Sequence, residues 1–326
     1  MERGGSGTQR SHARLRVRKD RGIPRGELLM KHVLLTGATG FLGSHLLEAL
    51  HRQGYQVTIL KRSTSDTWRI KHLLNHVAVF DVDIQPLEDA FKPRKVDAVI
   101  HTACSYGRRG ESAHSVAETN LLFALRLLDA ATLFKTESFI NTDTFFNTGI
   151  SLPKYLNAYS LSKKHFVEWL KSRSEEIQVV NFKLQHMYGP KDDKSKFVQW
   201  LISQLKKNID RISLTEGSQL RDFIYVDDVV SAYMLGLENT SQMNPFTELN
   251  VGTGEPLELR VFVSALYNAY KIRNPDLVTE LGFGDVSMCS GELMDVEVDI
   301  SELKKLGWHP RDNGIQRFIE WVCIND

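Results

Sequence analysis

Thr36-Gly37-Ala38-Thr39-Gly40-Phe41-Leu42-Gly43 is the stretch that decides the fold of this 326-residue chain. It follows a short apolar run, residues 32–36, and opens a segment whose Leu42, Leu46, Ala49 and Leu50 recur at helical spacing. Glycines between a strand and a helix permit a tight turn and let backbone approach a pyrophosphate, which the helix N-terminus then stabilises. Gly37, Thr39, Gly40, Phe41, Leu42 and Gly43 are therefore expected to bind a dinucleotide cofactor.

The same rhythm continues outward from this turn. Runs at 57–60, 77–80, 96–101, 138–142 and 179–183 are short and rich in β-branched residues, with longer helical segments between them. Strands that are nearly all apolar and separated by helices indicate a parallel sheet covered on both faces. The expected fold class is α/β: a doubly wound Rossmann sheet over residues 30–188, with a smaller C-terminal substrate-binding lobe over 189–326 that sends segments back to the first domain. After Gly189-Pro190 the pattern loosens into helix-like stretches at 197–206 and 229–237 and short strands near 212–214 and 249–251.

Residues 1–29 stand apart, with eight Arg or Lys against three acids, whereas the rest of the chain carries 33 basic and 37 acidic side chains. They hold no apolar core of a secretory signal. Met30 sits directly before the first strand, so the basic leader is expected to lie outside the fold, disordered or not native. A nucleic-acid-binding arm or a transit peptide is the other reading of such a stretch. Hydrophobic residues at 42% and charged residues at 25% are ordinary for a globular enzyme, and no apolar run nears the ~20 residues of a bilayer span. Cys104, Cys289 and Cys323 are scattered, without metal-ligand spacing, which suits a reduced, cytoplasmic protein. Neither nucleic acid, membrane nor metal is expected as a partner of the folded part.

An acidic residue commonly ends the second strand when the cofactor is NAD. This chain offers Lys61 and Arg62 there, two cations that suit a 2′-phosphate and favour NADP, although a solvated basic turn is the alternative. Asp83 and Ile84, after the third strand, are placed to meet the adenine, and Thr102 and Ala103, after the fourth, to line the cofactor. His101 is expected to be a packed, hydrogen-bonded histidine.

Tyr159-Ser160-Leu161-Ser162-Lys163 carries the chemistry. Residues four apart share a helix face, so the Tyr159 hydroxyl and the Lys163 ammonium reach one place. A lysine cation favours the phenolate of a tyrosine whose ordinary pKa is ~10, which makes Tyr159 a proton donor or acceptor for a carbonyl oxygen. Thr142, at the end of the fifth strand, is expected to hydrogen-bond the reacting oxygen and orient Tyr159. Thr142, Tyr159 and Lys163 together imply hydride transfer coupled to proton transfer, with Tyr159 and Lys163 also touching the cofactor.

These motifs, in this order over residues 30–326, resemble the extended short-chain dehydrogenase/reductase family. The resemblance extends to Asn120, to Lys183-Leu184-Gln185-His186-Met187-Tyr188-Gly189-Pro190, where Lys183 and His186 depart from the family pattern, and to Arg221-Asp222-Phe223-Ile224-Tyr225-Val226-Asp227-Asp228. It implies a nucleotide-sugar substrate, with Arg221 on the diphosphate and Tyr106, Thr144 and His186 also lining the substrate. Within the family, Asn141–Phe146, the segments around Tyr159 and Arg221, Ser105-Tyr106-Gly107-Arg108 and Gly307-Trp308 are similar to reductases of CDP-linked 4-keto-3,6-dideoxyhexoses in O-antigen lipopolysaccharide synthesis. The segment Met288-Cys289-Ser290-Gly291-Glu292 lacks an arginine such enzymes often carry.

Related 4,6-dehydratases place Glu two residues after Thr142, and reductase-epimerases place Cys. Thr144 here is a poor acid or base, which favours plain reduction. An NAD-dependent 4-epimerase is the rival enzyme and a redox-sensing Rossmann regulator the non-enzyme one. Both apolar helices, 115–134 and 158–173, have more apolar surface than a sheet can hide, and a homodimer through them is expected.

Overall fold

In the computed structural model, which describes residues 31–147, 157–288 and 291–325, six strands alternate with helical segments as far as Leu184. They are β1 (His32–Thr36), β2 (Gln56–Lys61), β3 (Ala78–Asp81), β4 (Ala98–His101), β5 (Ser138–Thr144) and β6 (Gln178–Leu184). Shorter ones follow: β7 (His186–Tyr188), β8 (Arg211–Leu214), β9 (Leu220–Arg221), β10 (Phe223–Tyr225), β11 (Phe246–Val251), β12 (Leu257–Glu258) and β13 (Glu280–Phe283). The leader expected at 1–29 lies outside the described residues, as do Cys289 and Ser290.

Seven strands form one sheet in the order β11-β6-β5-β4-β1-β2-β3, with every pairing parallel. The order reverses between β1 and β4, so a crevice opens there beyond the carboxyl ends of the strands. All five residues of β1 are buried, as an apolar strand covered on both faces must be. β3 is the exception. It lies at the sheet edge and Val79 is exposed, so the apolar run at 77–80 is not core.

The helices are α1 (Phe41–Arg52), α2 (Ala113–Ala117), α3 (Phe123–Leu133), α4 (Asn157–Ser172), α5 (Phe197–Lys206), α6 (Val226–Asn239), α7 (Leu259–Arg273), α8 (Ser301–Lys305) and α9 (Gly314–Ile324). One face of the sheet packs Leu46 and Leu50 of α1 with Val229, Tyr233 and Leu237 of α6 around Phe182. The other packs Leu127 and Leu128 of α3 with Phe166 and Leu170 of α4 around Phe139. Each such side chain contributes about 1.5–3 kcal/mol when fully buried. The helix expected at 115–134 is interrupted by a π turn, Glu118–Leu122, a feature often found at functional sites. A third cluster, built on α5, α7 and α9, forms the lobe, whereas β11 and α6 pack with the main sheet although they follow Gly189.

Candidate active site

The glycine turn packs directly on the end of β4. Gly37 has φ +71°, and a Cβ there would stand 2.6 Å from both the Ala103 amide and the Thr102 hydroxyl. A Cβ on Gly43 would meet the Gly37 carbonyl at 2.1 Å, so only glycine lets α1 approach the turn. Helix α1 then begins without a side-chain cap and without an acid in its first turn. Its amides suit a pyrophosphate, and the residues present fit a dinucleotide. Thr102 Oγ1 donates to the Thr36 carbonyl at 2.8 Å, and the Thr102 and Ala103 amides donate to Thr36 Oγ1. His101 Nδ1 shares that hydroxyl at 2.8 Å; burial, helped by the Lys163 cation, pushes its pKa down to about 3 and keeps it neutral. It is packed among Phe123, Phe139 and Phe166, as expected.

Arg69 was not legible in the sequence. Its guanidinium donates to the Thr39 carbonyl at 3.2 Å and to the Lys191 carbonyl at 2.8 Å, tying the glycine turn to the segment after Pro190. No periodicity or motif marks such a loop residue.

At the ends of β2 and β3 the two expected cations differ. Lys61 Nζ pairs with Asp81 at 3.1 Å, because β2 and β3 set these residues side by side. Arg62 is exposed, and among the described residues no carboxylate pairs with it. Asp83 accepts from the Ser63 amide at 2.9 Å, on the same rim, and Ile84 is exposed beside it.

Tyr159 and Lys163 lie on α4 and are both buried, at 6% and 2% exposure. Lys163 Nζ donates to the Thr142 carbonyl at 2.7 Å. Thr142 Oγ1 is hydrogen-bonded at 2.8 Å to the Tyr233 hydroxyl on α6, and Thr144, buried, lies two residues on along the same face of β5. The Tyr159 hydroxyl is not driven toward phenolate: burial, with Cys104 nearby, holds it well above its ordinary pKa, while the Lys163 ammonium donates to the strand carbonyl. Tyr159 is thus a protonated phenol, stacked at 4.9 Å under the ring of Tyr106. Asp143 points to the other face of β5, where Asn147 and Asn181 bond its carboxylate.

Asn120, at the centre of the π turn, holds this site together. Its Oδ1 accepts from the Ser105 amide at 2.7 Å, and its Nδ2 donates to the Ser105 carbonyl at 2.8 Å and to Ser162 Oγ at 3.0 Å. The loop bearing Tyr106 is thereby fixed to the helix bearing Tyr159.

Across the crevice, His186 packs between Phe145 and Phe223, and burial, then the cations Arg221, Arg108 and Lys196, pushes its pKa down to about 3. Arg221 is 8% exposed and turned into the lobe, donating to the Leu220 and Leu293 carbonyls at 2.6 Å each and pairing with Glu292. Asp222 beside it accepts from the Thr253 and Gly254 amides, which anchors the glycine turn after β11. Among the described residues no His/Cys/Asp/Glu cluster could hold a metal, and no helix is long and apolar enough to cross a membrane.

The profile described as the NAD dependent epimerase/dehydratase family matches residues 33–252. CDP-abequose synthase of Salmonella typhimurium is 34% identical over 289 residues, covering 86% of this chain and 94% of that one. Among solved structures, UDP-glucose 4-epimerase of Thermotoga maritima with UDP-glucose superposes with a TM-score of 0.75 at 20% identity, over 90% of this chain and 99% of that one. UDP-glucuronic acid 4-epimerase of Bacillus cereus, in complex with UDP-glucuronic acid and NAD, gives 0.73 at 22% identity, over 90% and 100%.

Proposed function

Since the chain belongs to the NAD dependent epimerase/dehydratase family, we propose that it is an NADPH-dependent 4-ketoreductase of a nucleotide-linked deoxysugar. The substrate in this reading is CDP-4-keto-3,6-dideoxy-D-glucose and the product CDP-abequose, an O-antigen precursor. The observation that carries the choice of chemistry is the buried Thr144 at the end of β5, two residues after Thr142 on the same face of the strand. A dehydration needs a further acid or base beside the sugar. Here that position is a threonine, and the neighbouring carboxylate, Asp143, is bonded on the far face of the strand. The likeness to CDP-abequose synthase over most of both chains supports the same substrate class.

The glycine turn and the first amides of α1 would hold the pyrophosphate, Arg62 the 2′-phosphate, and Lys163 the nicotinamide ribose. A bound reduced nicotinamide supplies the hydride. Tyr159, protonated because it is buried, gives its hydroxyl proton to the carbonyl oxygen, beside Thr142 and Thr144 on one face of β5. The same reading includes a homodimer, since Leu122 and Leu133 beside α3 and Leu161 and Trp169 on α4 are exposed.

The test is to mix the protein with the keto-sugar and NADPH or NADH, follow the nicotinamide absorbance, and assign the C4 configuration of the product by NMR. Consumption of NADPH with an axial C4 hydroxyl is expected. Conversion of a saturated nucleotide sugar to its C4 epimer without net cofactor consumption would replace this reading with an epimerase.

A further inference from the structure

We propose that Arg69 is a positioning residue that couples cofactor occupancy of the glycine turn to segment 190–196, which spans the mouth of the crevice; this rests on the dinucleotide reading of the turn and not on the identity of the sugar. The crevice opens between β1 and β4, so the glycine turn stands on one side of it and the loop bearing Tyr106 on the other. Segment 190–196 is fastened to both. On the α1 side, His45 Nε2 donates to the Pro190 carbonyl at 3.0 Å and Lys191 Nζ pairs with Glu48 at 2.9 Å. On the loop side, Arg109 pairs with Asp193 at 2.9 Å. Lys196 Nζ, paired with the buried Asp192, lies 5.3 Å from the Phe41 ring and 5.7 Å from the Tyr106 ring.

Arg69 joins this segment to the turn itself. Its Nη1 donates to the Thr39 carbonyl at 3.2 Å and its Nε to the Lys191 carbonyl at 2.8 Å, so one rigid guanidinium fixes the separation of the two backbones. The peptide between Thr39 and Gly40 is planar and trans, and its N–H bonds the Gly37 carbonyl at 2.9 Å on the opposite side. Arg69 and Gly37 thus hold both edges of the peptide that opens α1, next to the free amides that suit a pyrophosphate. At the other end, Lys191 has φ +63°, a left-handed conformation rare for a residue with a side chain. Contacts on both its carbonyl and its ammonium keep it there. Arg69 is itself preset: the adjacent Ile70 is buried, and the Arg69 guanidinium lies 4.5 Å over the Trp68 ring. A pyrophosphate that fixes the turn therefore also fixes the Lys191 carbonyl, and through Asp193 and Lys196 the loop that lays Tyr106 on Tyr159. Binding on one side of the crevice thereby orders the other, and the coupling is reciprocal.

Hydrogen–deuterium exchange of the full-length protein, with and without NADPH, reads this coupling directly. In the wild type, NADPH should slow exchange in residues 37–48 and in 191–196 together. In Arg69→Ala it should still slow exchange in 37–48, with NADPH affinity roughly 5–50-fold weaker, while 191–196 exchange at one rate with and without it. Arg69→Lys keeps the stem and the charge but cannot bond both carbonyls, and should lose the protection of 191–196 in the same way. Glu48→Gln frees Lys191 from α1 without touching the turn, and should raise exchange in 191–196 yet leave the difference made by NADPH. A purely structural role for Arg69 predicts that Arg69→Ala behaves like Glu48→Gln. Protection of 191–196 by NADPH in either Arg69 variant, or its absence in the wild type with 37–48 protected, would overturn the assignment alone. A wild-type protein in which NADPH and NADH protect neither segment, and do not bind in fluorescence titration, would overturn the cofactor reading and this assignment with it.

Discussion

Replacing Asn120 by alanine should damage stability and turnover together, because one buried amide joins two catalytic segments. The side chain is 1% exposed and makes three hydrogen bonds, at 2.7, 2.8 and 3.0 Å, to Ser105 twice and to Ser162 once. Each bond contributes about 0.5–1.5 kcal/mol net, and a buried partner left unpaired costs more; water can reach part of the Ser105 loop. The sum is about 2–4 kcal/mol, or roughly 3–7 °C in Tm for a chain of this size. Loosening the loop also releases Tyr106 from Tyr159, so kcat should fall alongside. Asn120→Asp is the more incisive variant. It retains an acceptor for the Ser105 amide but sets an oxygen against the Ser105 carbonyl. Burial raises the pKa of the new carboxyl, and protonation restores one donor. The folded-state pKa lies above the unfolded one, so stability relative to wild type should be highest below the unfolded value and fall as pH rises through the folded value. Urea unfolding across pH, with the nicotinamide assay in parallel, measures both effects. An alanine variant within about 0.5 kcal/mol of wild type, with unchanged kcat, would refute the argument.

Further outcomes follow from the same geometry. Tyr159→Phe should fold and bind cofactor normally while turnover drops at least ~100-fold, the scale for losing a general acid; retained turnover would remove Tyr159 from the chemistry. Arg62→Gln should weaken NADPH binding by about 10–100-fold and NADH binding little. Lys61→Gln should act less strongly, since Lys61 is paired with Asp81; a wild-type preference for NADH in fluorescence titration would contradict both. His101, buried and held near 3, must stay neutral in the fold. Its depressed pKa stabilises the fold above about pH 6.5, and this is lost as pH falls toward 3, by up to about 1.4 kcal/mol per unit. His101→Gln should narrow the gap to wild type as the medium is acidified, and a gap independent of pH in urea unfolding would contradict the neutral assignment.

Local pattern determined much of this protein. The strand before Gly37, the glycine turn and the helix after it are properties of neighbouring residues: apolar period, positive φ and helix-start geometry act within ten positions. For the same reason the sequence placed Tyr159 and Lys163 on one helix face. What local pattern could not decide is which partner each side chain takes across the fold. Thr142 and Thr144 share one face of β5, and it is Tyr233 of α6, about ninety residues on, that bonds the first. Lys61 pairs with Asp81 because β3 lies beside β2, which the residues around Lys61 do not show. Arg221 lies in a segment that resembles a phosphate-binding motif, and its pairing with Glu292, about seventy residues on, is set by the fold. Backbone conformation is set by residues adjacent in the chain. Charge compensation and hydrogen-bond pairing are settled by residues adjacent only in space, and the site's electrostatics therefore belong to the tertiary structure.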